Sequence, residues 1–259
     1  MKRIISAAIA VLMCLGFILS AAQAERAEGV ALKAEQPLVI DGDFSDWDLS
    51  CPLAINTLEQ VIRDGNEWNG VQDSSCIVYV MWDEENLYLA VDVTEDSPFG
   101  AADMLPLDKQ DNFKLFLSTD PAADPDRENF GTNDFLVYFL IDNNFWDTAI
   151  DRSMVPKDQR KHFLSKGIDG GENVLPDMVK AVQRTTTGFR YEAAIPFSSF
   201  SNNDIPVYVP SCGDTVNFDF VLTDIAYPCP GTEYIPQLAW SGDININTNP
   251  SLWGRLTFQ

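Results

Sequence analysis

Carboxylates gathered at turns are the residues of this sequence with the clearest chemical potential. Asp43 and Asp46 stand in the acidic turn Asp41-Gly42-Asp43-Phe44-Ser45-Asp46-Trp47-Asp48, Asp96 and Asp111 border a second turn region, and Asp224 closes a strand-like run. Loops of this kind suit a hard divalent cation such as calcium, which takes roughly six to eight oxygen ligands. The competing reading is solubility, because 39 acidic residues face 17 basic ones and a strongly negative surface keeps a protein dispersed. The spacing is not that of an EF-hand: Asp120 to Asp126 lacks the glycine and the terminal glutamate such a loop requires.

Stacking is a second chemistry. Trp68, Trp146 and Trp240 lie in polar surroundings, Glu67-Trp68-Asn69-Gly70, Asn144-Phe145-Trp146-Asp147 and Trp240-Ser241-Gly242-Asp243. There a ring is available to a ligand or packs beneath its own loop. Trp47, Trp82 and Trp253 adjoin apolar strand patterns and are expected in the core or at a sheet edge. Lys114 and Tyr138 project opposite Phe113 and Leu115, as polar contacts for a ligand or as cross-strand neighbours; Asp108 and Asn245 share both readings. Catalysis has little to build on. The sequence holds no Gly-x-Ser-x-Gly, His-Glu-x-x-His or phosphate loop, and a triad would rest on His162, the sole histidine.

These residues need a scaffold, and the periodicity supplies one. From Ser75 to Asp96 two apolar runs alternate with period two about the turn Asp83-Glu84-Glu85-Asn86, a hairpin signature. Further strands are expected at Pro37–Ile40, Asp111–Ser118, Phe135–Ile141, Met178–Arg184, Phe189–Ile195, Val216–Asp224 and Trp253–Phe258, with Gly188 as a hairpin turn. Ser50 to Ser75 reads as loop, and one helical turn is expected near Asp158 to Phe163. About ten short strands with almost no amphipathic helix predict an all-β fold, an antiparallel β-sandwich of the jelly-roll or immunoglobulin-like kind.

Residues 1–24 read as a signal peptide, with Lys2 and Arg3 before the apolar stretch Ile4 to Leu19 and a cleavage site at Ala22-Gln23-Ala24. The expectation is a secreted or periplasmic protein with a polar lead-in over 25–36 and one domain over 37–259. The formal charge of -22, more negative still without Lys2 and Arg3, disfavours nucleic acid and anionic membranes as partners. Cys51, Cys76, Cys212 and Cys229 remain after processing, an even number that suggests two disulfides in an exported chain. Three connectivities are open, and the local pairs Cys51 with Cys76 and Cys212 with Cys229 close the more modest loops.

The order of these signals resembles family 9 carbohydrate-binding modules and their DOMON-like relatives. The pieces are Val39-Ile40-Asp41-Gly42 with Asp46-Trp47, Val80-Met81-Trp82-Asp83 to Asn86-Leu87-Tyr88, Asp96, and Gln110-Asp111 before Leu115-Phe116-Leu117. They continue with Gly188 to Ile195, Asn217-Phe218 to Thr223-Asp224, Ala239-Trp240-Ser241, and Asn249-Pro250-Ser251 before Gly254-Arg255-Leu256. The resemblance implies a non-catalytic sandwich that binds carbohydrate and usually carries structural calcium; such a module either stands alone or recruits separately exported carbohydrate-active enzymes. In sugar-binding members two tryptophans clamp the terminal sugar; Asp108 and roughly Asn247 stand at those places here. Lys114 replaces an acidic ligand, Val221 replaces an amide, and an asparagine near Asn245 is kept. On this reading Trp146, Trp240, Asn245, Lys114, Asp108 and Tyr138 are the sugar-site candidates. Relatives that hold b-type haem supply the weaker alternative, with Met81, Met104, Met154, Met178 and His162 as available ligands; a structural or adhesive domain is a third.

Overall fold

The computed structural model describes residues 26–98, 111–140, 162–166, 172–174, 177–201, 205–225 and 234–259. The signal segment, Asp108, Trp146 and Cys229 lie outside them. Among the described residues fourteen strands are joined by hydrogen bonds, eleven along one path and three branching from it, and they fold into two packed sheets. One sheet takes β1 (Glu28–Lys33), β2 (Leu53–Ile55), β4 (Ser74–Trp82), β5 (Asn86–Glu95), β10 (Val179–Arg184) and β11 (Gly188–Pro196). The other takes β3 (Val61–Arg63), β6 (Asn112–Ser118), β7 (Asp134–Leu140), β8 (His162–Lys166), β9 (Glu172–Val174), β12 (Thr215–Thr223), β13 (Gln237–Ala239) and β14 (Gly254–Phe258).

The expected hairpin is β4 and β5, paired antiparallel from Ser74↔Glu95 to Trp82↔Leu87. Its period of two puts Val78, Val80, Leu89 and Val91 inward, against Phe113, Leu115, Phe218 and Phe220 of the other sheet. Each such buried side chain contributes about 1.5–3 kcal/mol. The outward set is buried too. Met81, Tyr88 and Ala90 lie under Phe44 and Trp47, which the chain ahead of β2 lays across the sheet.

Several expectations change. The supposed lead-in contains β1, which pairs parallel with β14 through Glu28–Ala31 and then with β4 through Leu32 and Lys33, joining the two sheets. Pro37–Ile40 forms no strand and is held instead by the Val39 N–H donating to Asp46 (2.8 Å). The loop from Ser50 to Ser75 contains β2 and β3, and His162 begins β8 rather than ending a helical turn. Gly188 does close the β10–β11 hairpin, its carbonyl accepting the Thr185 N–H (3.0 Å), and it also permits close packing, since a Cβ there would stand 2.1 Å from the Val93 carbonyl oxygen. The thiols of Cys51, Cys76 and Cys212 are free. Ile55 is the residue opposite Cys76, and Cys51 lies four residues back along the chain, on the order of 13 Å if extended. A disulfide spans no more than about 7 Å between Cα atoms, so the expected Cys51–Cys76 bridge is not made.

Candidate functional site

Strand parity assembles the first polar feature. Val91 and Val93 point inward on β5, as Phe113 does on β6 and Leu222 on β12, so Glu95, Asp111 and Asp224 fall at inward positions just past the apolar core. All three are buried. Asp111 Oδ1 accepts the Ile225 N–H (2.7 Å), Glu95 Oε1 accepts the Ser97 N–H (3.0 Å), and Asp224 Oδ1 has no hydrogen-bond partner among the described residues. Burial, followed by the charges of Asp224, Asp111 and Asp96, pushes the Glu95 carboxyl up to about 10. Burial, then Asp73 and Asp96, pushes Asp224 up to about 7. A cavity of about 340 Å³ opens beside this cluster, lined by Gln72, Glu95, Asp96 and the Arg184–Gly188 turn.

The structure thus brings together Asp96, Asp111 and Asp224 and adds Glu95 and Asp73, which the sequence reading missed. Asp43 and Asp46 lie elsewhere, exposed over the outer face of the β4–β5 sheet. There Asp43 caps the Ser45 N–H (3.1 Å) and Asp46 holds the Val39 N–H. The donor chemistry of Glu95, Asp111 and Asp224 fits a hard cation: oxygen atoms only, buried like charges, and one orphaned carboxylate oxygen. Among the described residues, however, no three such groups stand close enough to hold an ion by themselves.

The second polar feature covers the outer face of the β6–β12 sheet. Phe116, Val221, Ala239, Ile246 and Trp253 form a small apolar cluster there. Beside it Lys114 places Nζ 5.5 Å from the centre of the Tyr138 ring, the two residues being directly paired between β6 and β7. Lys114 is 3% exposed, so it is a buried cation and not a solvated one. The adjoining row consists of Asn112 on β6, Thr223 on β12 and Gln237 on β13. Asn245 is exposed and donates its amide to Asp243 (3.2 Å).

Trp240 does not belong to this face. Pairing of β13 with β12 turns it inward, 8% exposed, with its ring stacked on Phe220 at 5.5 Å and 11°. Trp68 packs at the core margin and donates to the Ser74 carbonyl (2.8 Å). Trp47, Trp82 and Trp253 are buried, as expected from their apolar surroundings. Of the methionines considered for haem, Met81 packs against Phe44 and Trp47 outside the sandwich and Met178 adjoins the main core.

The feature least visible in sequence is Glu192. Alternation along β11 sends it to the outer face, where it is 0% exposed. Its carboxylate accepts Trp47 Nε1–H (2.6 Å), the Asp41 N–H (2.8 Å) and the Gly42 N–H. It therefore clamps the acidic turn onto the sheet. Asp219 has a similar task on the other sheet, accepting the Ser241 and Gly254 N–H groups (both 3.3 Å). Burial raises it to about 7.

Two solved structures share this architecture. A family 9 carbohydrate-binding module from Caldicellulosiruptor kristjanssonii in complex with cellotriose is 17% identical, with a TM-score of 0.59 over 90% of this chain and 94% of that one. A family 9 module from the same organism in complex with glucose is 16% identical, with a TM-score of 0.57 over 89% and 95%. No curated protein matches the sequence. The family described as Carbohydrate family 9 binding domain-like matches residues 47–259, most of the sequence, and the chain belongs to that family.

Proposed function

We propose that this chain is an exported carbohydrate-binding module that binds without cleaving, gripping its glycan on the outer face of the β6–β12 sheet. The observation that carries the reading is the buried polar group Lys114, Thr223 and Gln237 with the half-buried Tyr138, set on a sheet face beside an apolar cluster. A sugar presents C–H faces to rings and hydroxyls to amide, hydroxyl and ammonium groups, and specificity comes from the hydroxyl contacts. Tyr138 offers the ring and its neighbours offer the polar atoms. The similar Caldicellulosiruptor modules hold cellotriose and glucose, which supports a neutral glucan or related sugar as the partner. Such a module would bring separately exported carbohydrate-active enzymes to the same polysaccharide.

Calcium is the second part of the proposal. Held beside Glu95, Asp111 and Asp224 with further oxygen ligands from outside these three, it would neutralise carboxylates that burial otherwise drives toward protonation. The ends of β5, β6 and β12 would then be fixed near the sugar face.

A glycan and polysaccharide binding screen, run with calcium and with a chelator, tests both parts. Silence in both conditions overturns the carbohydrate reading, and equal binding in both removes calcium from it. Lys114→Met should weaken whatever binding is found by roughly tenfold, about 1.4 kcal/mol.

A further inference from the structure

Thr223 and Gln237 occupy positions that none of the expected sugar contacts included. Thr223 pairs with Gln237 on one side and with Asn112 on the other. Val221 and Ala239, two residues away on the same strands, belong to the outer cluster, whereas Leu222 and Leu238 face the main core. Parity therefore puts the Thr223 and Gln237 side chains on the outer face, one row from Lys114 and Tyr138. With Asn112 the row crosses three strands, about 10 Å, enough for one sugar ring and its hydroxyls.

Thr223 is 1% exposed, and its hydroxyl has no hydrogen-bond partner among the described residues. Native interiors rarely leave such a group unmade. A valine would fill the same volume without that penalty, so packing does not account for the hydroxyl. Gln237 is 7% exposed and stands directly opposite Thr223 on the same face. It thus presents a donor and an acceptor beside a hydroxyl that is both. Together they match a pair of adjacent hydroxyls, each of which must give one hydrogen bond and receive another.

We propose that Thr223 and Gln237 are specificity-determining residues that read a vicinal diol of a neutral pyranose, in a pocket shifted one row from the Lys114–Val221 positions. The proposal rests on the carbohydrate reading above. It also explains how a sugar face can persist where Val221 supplies no amide: the polar contacts have moved along β12 by two residues and across to β13.

The test uses the full chain with calcium and a panel of glucose, galactose, mannose, xylose and cellotriose, read by calorimetry. Thr223→Val and Gln237→Leu should each weaken the panel sugar that wild type binds by at least tenfold, with Thr223→Val keeping or raising the melting temperature. Thr223→Ser, which restores a hydroxyl, should recover most of the affinity and covers the case in which Thr223→Val misfolds. A monodeoxy analogue lacking one hydroxyl of the diol should lose affinity for wild type but not for Thr223→Val. If wild type binds no panel sugar, the carbohydrate reading itself fails. Wild-type binding that both substitutions leave within twofold would overturn this inference alone.

Discussion

Removing the Glu192 carboxylate should release an entire layer of the molecule. Three N–H groups converge on it, from Trp47, Asp41 and Gly42, and hydrogen bonds to a charged acceptor contribute about 1.5–3 kcal/mol each. Burial of the carboxylate opposes this and raises its pKa, so roughly half of the gross gain is lost. Glu192→Ala should then cost about 3–5 kcal/mol, because the three donors are left without an acceptor. Glu192→Gln keeps the volume but turns one acceptor into a donor facing N–H groups, and should cost about 1–3 kcal/mol. Urea unfolding of both variants measures these values. Limited proteolysis supplies the local readout, since segment 38–48 should become the first site of cleavage. A loss below about 1 kcal/mol for Glu192→Ala, or an uncleaved segment, would refute the clamp.

Calcium-free protein should lose stability as pH rises from about 6 to 9, because Glu95, at about 10, and Asp224, at about 7, bind protons more tightly folded than unfolded; thermal melts in chelator show the slope, and saturating calcium should flatten it. A pH-independent chelated protein would remove the buried carboxylate cluster from the account. Trp240→Ala should destabilise by about 3–5 kcal/mol without changing the sugar affinity of the folded fraction, measured by denaturation and by calorimetry below the melting range. Native thiol labelling should modify exposed Cys212 quickly and leave Cys76 untouched, since burial pushes that thiol far above its usual range. Peptide mapping that finds a Cys51–Cys76 bond would contradict the β2–β4 register.

Periodicity made the sheets legible. Alternation along β4, β5, β6 and β12 named the residues facing the core, because a buried face leaves a sequence no freedom in that pattern. It failed where pairing partners decide the outcome. Glu28–Lys33 reads as a polar leader, yet it is a strand because β14 and β4 both offer it an edge. Trp240 reads as a loop aromatic because only three residues of β13 precede it. Of the acidic candidates, Asp96, Asp111 and Asp224 converge while Asp43 and Asp46 do not, since convergence depends on which strand ends meet. Glu95 had a visible signal, lying two residues beyond Val93 on the same inward-facing side of its strand. Glu192 had a weaker one, as the only charge on the Tyr191–Ile195 run. Thr223 and Gln237 had none, because their adjacency exists only through the β12–β13 register.

The double pairing of β1 also sets how the module answers force. A domain held at two points carries tension between them. β1 runs parallel to β14, in register from Glu28↔Arg255 to Ala31↔Phe258. A pull applied through the start of β1 and the end of β14 therefore slides the two strands along each other instead of peeling them apart. Shear of this kind loads all the inter-strand hydrogen bonds at once, whereas peeling breaks them one by one. Continuation of β1 onto β4 lengthens the resisting stretch, so the strand that stitches the sheets together is also the part of the fold that must yield first under load.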